Sequence, residues 1–211
     1  MGGLFGARPF SIVLSFFQMP RFLAAILIGG LLIGPGRVVT AQVRVRALDD
    51  ATMVDPLQAP AGVKAIVFLF TTTDCPISNR YAPDVRRLSA AFASQGVVFR
   101  LVYPDPAEKP GAIRDHMAAF AYAGVTQAFR DPEHALVKFV GATVTPEAAV
   151  FSGGRVVYRG RIDDRFVDLG LERPAPTRRD LAEAIAAVLA GTPVPQPRTQ
   201  AVGCFISDFA R

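Results

Sequence analysis

Two apolar runs of strand length, Ala65-Ile-Val-Phe-Leu-Phe70 and Val97-Val-Phe-Arg-Leu-Val-Tyr103, bracket a single helical stripe. No other feature restricts the fold of this chain as much. The first run holds no polar residue, which suits a central strand covered on both faces. Between the runs, Ile77, Tyr81, Val85, Leu88 and Phe92 recur at steps of four, four, three and four. That is one face of a helix, ending near Gly96. Strand, helix and strand in this order make a parallel pair joined by a right-handed crossover.

Further along, Ile113, Met117 and Phe120 mark a second helix, and Ala135, Leu136, Phe139 and Val140 a short third one opened by Asp131-Pro132. Ala148–Phe151 and Arg155–Arg159 flank Ser152-Gly153-Gly154, a hairpin signal. Thr177 and Asp180 resemble a capping box ahead of Leu181, Ile185 and Val188, the last helix. The order predicts an α/β three-layer sandwich over residues 42–190, a mixed central sheet flanked by helices. From Gly191 a proline-rich strap, 191–211, carries Cys204. There is no internal repeat.

Half of the 211 residues are apolar (51%) and 19% are charged, so the chain can bury a core. Its net charge of +5 is concentrated at one end. The first 41 residues hold Arg8, Arg21 and Arg37 and no acid, so 20 of the 23 basic residues face 18 acidic ones in the remainder. Nucleic-acid binding needs a clustered excess of cations and is not expected.

Residues 22–34 are an uncharged run behind Arg21, and Val39-Thr40-Ala41 has the small-residue spacing of a signal-peptidase site. The 13-residue run is short for a bilayer span, which needs ~20 residues. A secretory signal peptide over 1–41 is expected, starting at Met1 or Met19, and with it a periplasmic or other extracytoplasmic location. Disulfides persist in such a compartment.

Only two cysteines are present, too few for a disulfide scaffold or a cysteine-only zinc site. Cys75 follows four polar residues, Thr71-Thr-Thr-Asp74, at the expected start of a helix with Pro76 in its first turn. Unpaired N–H groups and the positive end of the helix dipole favour a thiolate there. Proline at N1 sacrifices no hydrogen bond. The Ser78 hydroxyl, one turn on, stands within reach of the sulfur, while Asp74 opposes its ionisation.

The strand followed by Cys75-Pro76-Ile77-Ser78 opening a helix resembles a thioredoxin-superfamily active site with serine in place of the second cysteine. Thr145-Pro146 matches the cis-proline position of that family. Thr73-Asp-Cys-Pro-Ile-Ser-Asn-Arg-Tyr81 and Gly203-Cys-Phe-Ile206 look like secreted redoxins related to peroxiredoxins. The resemblance covers roughly residues 60 to 190. It implies a thiol–disulfide oxidoreductase with Cys75 as nucleophile, Pro146 shaping the approach of an extended substrate, and Thr72 and Ser78 hydrogen-bonding the sulfur. It calls for no flavin, nicotinamide or metal cofactor. The implied partners are protein or small-molecule thiols and disulfides, or a periplasmic or membrane redox protein.

Two other activities belong with this fold. A thiol peroxidase of peroxiredoxin type carries a threonine three before its cysteine, matched by Thr72, but also a proline where this chain has Phe68 and an arginine where it has Thr145-Pro146. A copper-carrying relative needs a cysteine where Thr71 stands and a histidine near residue 145, and this chain has neither. A non-enzymatic module serving a haem or copper protein is the remaining class.

Cys204 is open to three roles: resolving Cys75, forming a permanent disulfide with it, or meeting another protein. The strap of 13 residues from 191 to 203 spans up to ~40 Å at ~3.1 Å per residue, so reach does not prevent the pairing. His116 and His134 are expected at the surface or as caps. Asp163-Asp164, among Arg159, Arg161 and Arg165, are expected to form a solvated ion-pair network.

Overall fold

The computed structural model describes residue 2 and residues 42–49, 52–122 and 127–207. The expected leader, 1–41, lies outside the described residues apart from residue 2. In chain order the elements are β1 (Val45–Ala47), β2 (Met53–Val54), β3 (Ala65–Phe70), α1 (Pro76–Arg80), α2 (Ala82–Ala93), β4 (Val97–Tyr103), α3 (Pro110–Ala119) and β5 (Gln127–Arg130). They continue with α4 (Ala135–Val140), β6 (Val144–Thr145), β7 (Glu147–Ser152), β8 (Arg155–Gly160), β9 (Phe166–Asp168), β10 (Leu171–Glu172), α5 (Asp180–Leu189) and β11 (Cys204–Phe205).

Seven strands form one sheet in the order β2-β1-β5-β4-β3-β7-β8. β3, β4 and β5 run parallel, whereas β7, β8 and β1 enter antiparallel. β3 lies at the centre, and all six of its residues are buried. Alternate side chains leave opposite faces of a strand. Val67 and Leu69 therefore join Ile113 of α3, Val85 of α2 and Leu181 and Ile185 of α5. Ile66, Phe68 and Phe70 instead pack with Leu136, Val137 and Val140 of α4. The result is a three-layer α/β sandwich, as expected. Each fully buried chain such as Phe68 contributes about 1.5–3 kcal/mol.

The crossover helix differs from its sequence reading. The stripe from Ile77 to Phe92 is shared by two helices, broken at Tyr81. Pro83, in the first turn of α2, has no N–H for the Asn79 carbonyl, and the ladder stops there. The hairpin turns through Gly153 and Gly154, whose φ values of 57° and 78° suit a two-residue turn between twisted strands.

The capping box expected at α5 is not formed: Arg179 is the N-cap. Thr177 Oγ1 donates to Asp164 and Asp180 accepts from Arg161 Nε at 2.7 Å, so both side chains are engaged by tertiary partners instead. Asp131, by contrast, opens α4 with both carboxylate oxygens, accepting the N–H groups of Ala135, Leu136 and Val137 at 2.8, 2.9 and 2.8 Å. No helix among the described residues is long and apolar enough to cross a membrane.

After α5 the strap runs back along β8. Arg159 N–H donates to Pro197 O at 2.9 Å and Thr199 N–H to Arg159 O at 3.1 Å. It ends as β11, antiparallel to β6, with Cys204 opposite Thr145 and Phe205 opposite Val144.

Candidate active site

β3 ends in the polar segment Thr71–Asp74, which delivers Cys75 to the N-cap of α1 in extended geometry (φ −76°, ψ 111°). The end of β6 faces it. The Thr145–Pro146 peptide bond is cis, and the Thr145 carbonyl accepts a hydrogen bond from the Cys75 thiol at 3.1 Å. Register across the β6–β11 pair then sets Cys204 over the same spot. Its thiol donates to Cys75 Sγ at 2.9 Å. Cys75 and Cys204 are 129 residues apart in sequence and adjacent in space.

The two sulfurs differ in setting. Cys75 is 1% exposed, the burial of an inert core cysteine, but its sulfur meets a carbonyl oxygen and a second thiol. Cys204 is exposed. Burial raises the Cys75 pKa, but hydrogen bonds from Cys204 and from the Ser78 side chain and backbone outweigh it, and the thiol lies below its ordinary value. Ser78 Oγ is buried with no other polar group in hydrogen-bonding geometry, so its proton is available to the sulfur. Cys204 is pushed up to about 11 by burial, by its bond to Cys75 and by the charges of Cys75 and Asp74. The pair therefore loses its first proton from the inner sulfur.

Of the expected site residues, Cys75, Cys204, Ser78 and Pro146 gather at this point. Thr72 is close by, but its hydroxyl pairs with Thr145 Oγ1 at 3.5 Å and not with the sulfur. Arg80 turns outward to Glu172 at 2.5 Å.

His116 is buried and caps no helix, against expectation, whereas His134 is buried as the N-cap residue of α4, one of the two places expected for it. Tyr103 O–H donates to His116 Nδ1 at 2.9 Å, and His116 Nε2–H donates to Asn79 Oδ1 at 2.8 Å, a tautomer assigned from these partners. Asn79 Nδ2 in turn donates to the Thr73 carbonyl at 3.2 Å. The Thr73 N–H donates to Glu108 Oε1 at 2.5 Å. A polar chain thus clamps both sides of the loop that presents Cys75. Burial lowers the His116 pKa and raises that of Glu108. His134 sits in the left-handed region (φ 55°) with Nε2 at 3.0 Å from the Pro104 carbonyl. Sequence reasoning missed Asn79, Glu108 and the role of His116, because no pattern announces partners 37 or 35 residues away.

Asp163 and Asp164 are ion-paired as expected, with Arg165 at 3.8 Å and Arg173 at 3.9 Å, but both are buried and not solvated. Asp163 accepts from Tyr81 O–H at 2.6 Å, and Asp164 accepts the N–H groups of Thr177 and Arg178 at 2.7 and 2.9 Å. They tie the segments around α5 to α2. Among the described residues no group of three His, Cys, Asp or Glu could hold a metal ion.

No family model and no curated protein matches this chain. Solved structures do. An uncharacterized conserved protein from Geobacillus kaustophilus aligns with a TM-score of 0.67 and 22% identity, covering 80% of this chain and 89% of that one. A hypothetical protein from Sinorhizobium meliloti aligns at 0.64 and 21%, covering 80% and 91%. A secreted disulfide oxidoreductase from Mycobacterium tuberculosis aligns at 0.46 and 17%, covering 71% and 96%. The central strand order β4-β3-β7-β8, with the cis-proline opening β7 opposite a cysteine at the N-cap of the helix that follows β3, decides the architecture. The fold is thioredoxin-like. In this thioredoxin-like frame the second sulfur arrives on a C-terminal strand and not from the turn after the first. The two sulfurs are thereby held by different parts of the chain, the sandwich and its strap.

Proposed function

We propose that this chain is an exported thiol–disulfide oxidoreductase, with Cys75 supplying the reactive thiolate and Cys204 the second sulfur. One observation carries the reading: two thiols 2.9 Å apart, one below and one above its ordinary pKa. A disulfide S–S bond measures about 2.05 Å, so closing it takes a shift of under about 1 Å. A thiolate beside its own partner is the arrangement that makes and breaks such bonds. The apolar leader ahead of residue 42 supports work outside the cytoplasm. Substrates are thiols or disulfides of proteins or small molecules, and electrons pass from sulfur to sulfur without a further cofactor. Pro146, beside the pair, would border the path of an extended substrate backbone.

The test is equilibration of the full chain in glutathione buffers of stepped potential, with free thiols counted after acid quench. Loss of two thiols in one two-electron step without a glutathione adduct is expected for the wild type, and loss of at most one, as a glutathione adduct, for Cys75→Ser or Cys204→Ser. A wild-type count that never changes would overturn the assignment.

A further inference from the structure

The strap determines which sulfur a partner can reach. Cys75 lies beneath β11, and its sulfur is bounded by the Thr145 carbonyl and Cys204 Sγ. Several contacts hold that cover in place. Cys204 and Phe205 pair with β6, Ile206 N–H donates to Thr143 O at 3.0 Å, and Ala201 is buried. Thr199 Oγ1 accepts the Arg161 N–H at 3.1 Å and lies 2.8 Å from the Tyr158 hydroxyl. A partner sulfur can meet Cys75 only after the end of this ribbon is detached. Cys204 needs no such opening. It borders an open cavity of about 470 Å³, walled by Ile77, Phe166 and Leu169 and rimmed by Arg80 and Glu172.

Resting on the thiol–disulfide reading, we propose that partners bond first to Cys204, and that Cys75 is the inner sulfur that leaves and later resolves. This reverses the order that the position of Cys75 at the start of α1 suggests. Starting from the closed pair, a partner thiolate attacks Cys204 Sγ in line with the S–S bond. A partner–Cys204 disulfide forms, the Cys75–Cys204 bond breaks, and Cys75 departs with the electron pair as a thiolate. A second thiolate of the same partner then attacks the partner's own bonded sulfur. The partner closes its disulfide, and Cys204 leaves as a thiolate that takes a proton from water. Two electrons have moved from partner to pair. Cys75 takes up a proton from water in turn, and the end state is the one observed, a Cys75 thiol donating to the Thr145 carbonyl and a Cys204 thiol donating to the Cys75 sulfur. In reverse, Cys204 opens a partner disulfide and Cys75 attacks Cys204 Sγ to release the partner.

The electrostatics agree with the geometry. Exchange is faster when the departing thiol is the more acidic one. In the reduced pair Cys75 is the more acidic of the two, lowered first by the hydrogen bond from Cys204 and then by Ser78. Ser78 stays at the buried end when Cys204 is bonded to a partner, and Cys204 is the poorer leaving group. Stabilising the reduced form in this way also makes a pair a better oxidant, so the favoured partner is a dithiol.

The experiment uses the oxidised full chain and a short peptide containing one cysteine. Samples are quenched in acid within the first turnover, free thiols are alkylated with N-ethylmaleimide, and digests are mapped by mass spectrometry. The expected result is at least tenfold more peptide on Cys204 than on Cys75, with maleimide on Cys75. Peptide on Cys75 in equal or greater amount would overturn the order of bonding and leave thiol exchange intact. Absence of peptide from both sulfurs would overturn exchange itself, and the order with it. Reduced single-cysteine variants check the other direction against a peptide disulfide, compared at equal thiolate fraction. Cys204 alone in Cys75→Ser should react at least tenfold faster than Cys75 alone in Cys204→Ser, and a faster Cys204→Ser protein would overturn the order.

Discussion

Gly203 packs so closely on Thr145 that a Cβ on the glycine would overlap the Thr145 carbonyl oxygen and crowd Pro146 N. The absent side chain is what lets the strap lie flat on β6 and bring Cys204 to Cys75. Gly203→Ala is therefore expected to lift β11, at ~1–3 kcal/mol as an overpacking cost. Thiol titration after mild oxidation checks it: the wild type should lose both thiols, and the variant should keep both.

Removing the Cys204 thiol removes the bond it donates to Cys75. Burial then opposes ionisation of Cys75 with only Ser78 and the backbone N–H of residue 204 against it, so Cys204→Ala should raise the Cys75 pKa. Ultraviolet thiolate absorbance followed against pH reads the shift. A midpoint unchanged or lower in the variant would contradict the hydrogen-bond account.

Burial and the bond to Cys75 push the Cys204 pKa up to about 11 in the folded reduced protein, against ~8.5 in an unfolded chain. A group whose pKa is raised by folding stabilises fully below its unfolded value and loses that contribution as pH rises through the folded one. Reduced protein should thus lose stability between about pH 8.5 and 11 more steeply than Cys204→Ser. Urea midpoints of the two proteins across that window make the comparison, and parallel curves would refute it.

The buried clamp on the Cys75 loop should respond to acid. His116 is neutral between Tyr103 and Asn79, and burial lowers its pKa. Below ~6.5 the unfolded chain takes up a proton that the folded chain resists. Stability should therefore fall as pH drops from about 6.5 through the lower folded-state value. His116→Gln should flatten that limb of the profile. Asn79→Ala, which cuts the link to Thr73, is expected to destabilise by ~1–3 kcal/mol and to slow exchange at Cys75.

What the sequence discloses follows from how local each signal is. β3 and β4 were readable because a strand covered on both faces needs an unbroken apolar run, and the β7–β8 hairpin because Gly153-Gly154 marks its turn. β1, β2, β5, β6 and β11 have two to four residues each and no period to detect. They exist by pairing with distant strands. The placement of Cys204 opposite Thr145 depends on the β6–β11 register, which no local pattern reveals. The burial of His116, Asp163 and Asp164 is hidden in the sequence for a related reason. Charge and polarity in a sequence suggest solvent, whereas here the polar partners come from other elements. The break at Tyr81 was legible in principle, since Pro83 stands in plain view.

The last turn of the strap both screens the inner thiol and carries the only other one. A protease that trimmed the chain after Thr199 would bare the inner thiol and disarm the protein in the same cut. A fragment lacking residues 200–211 would thus be a more exposed monothiol, open to capture by stray sulfurs and unable to release them.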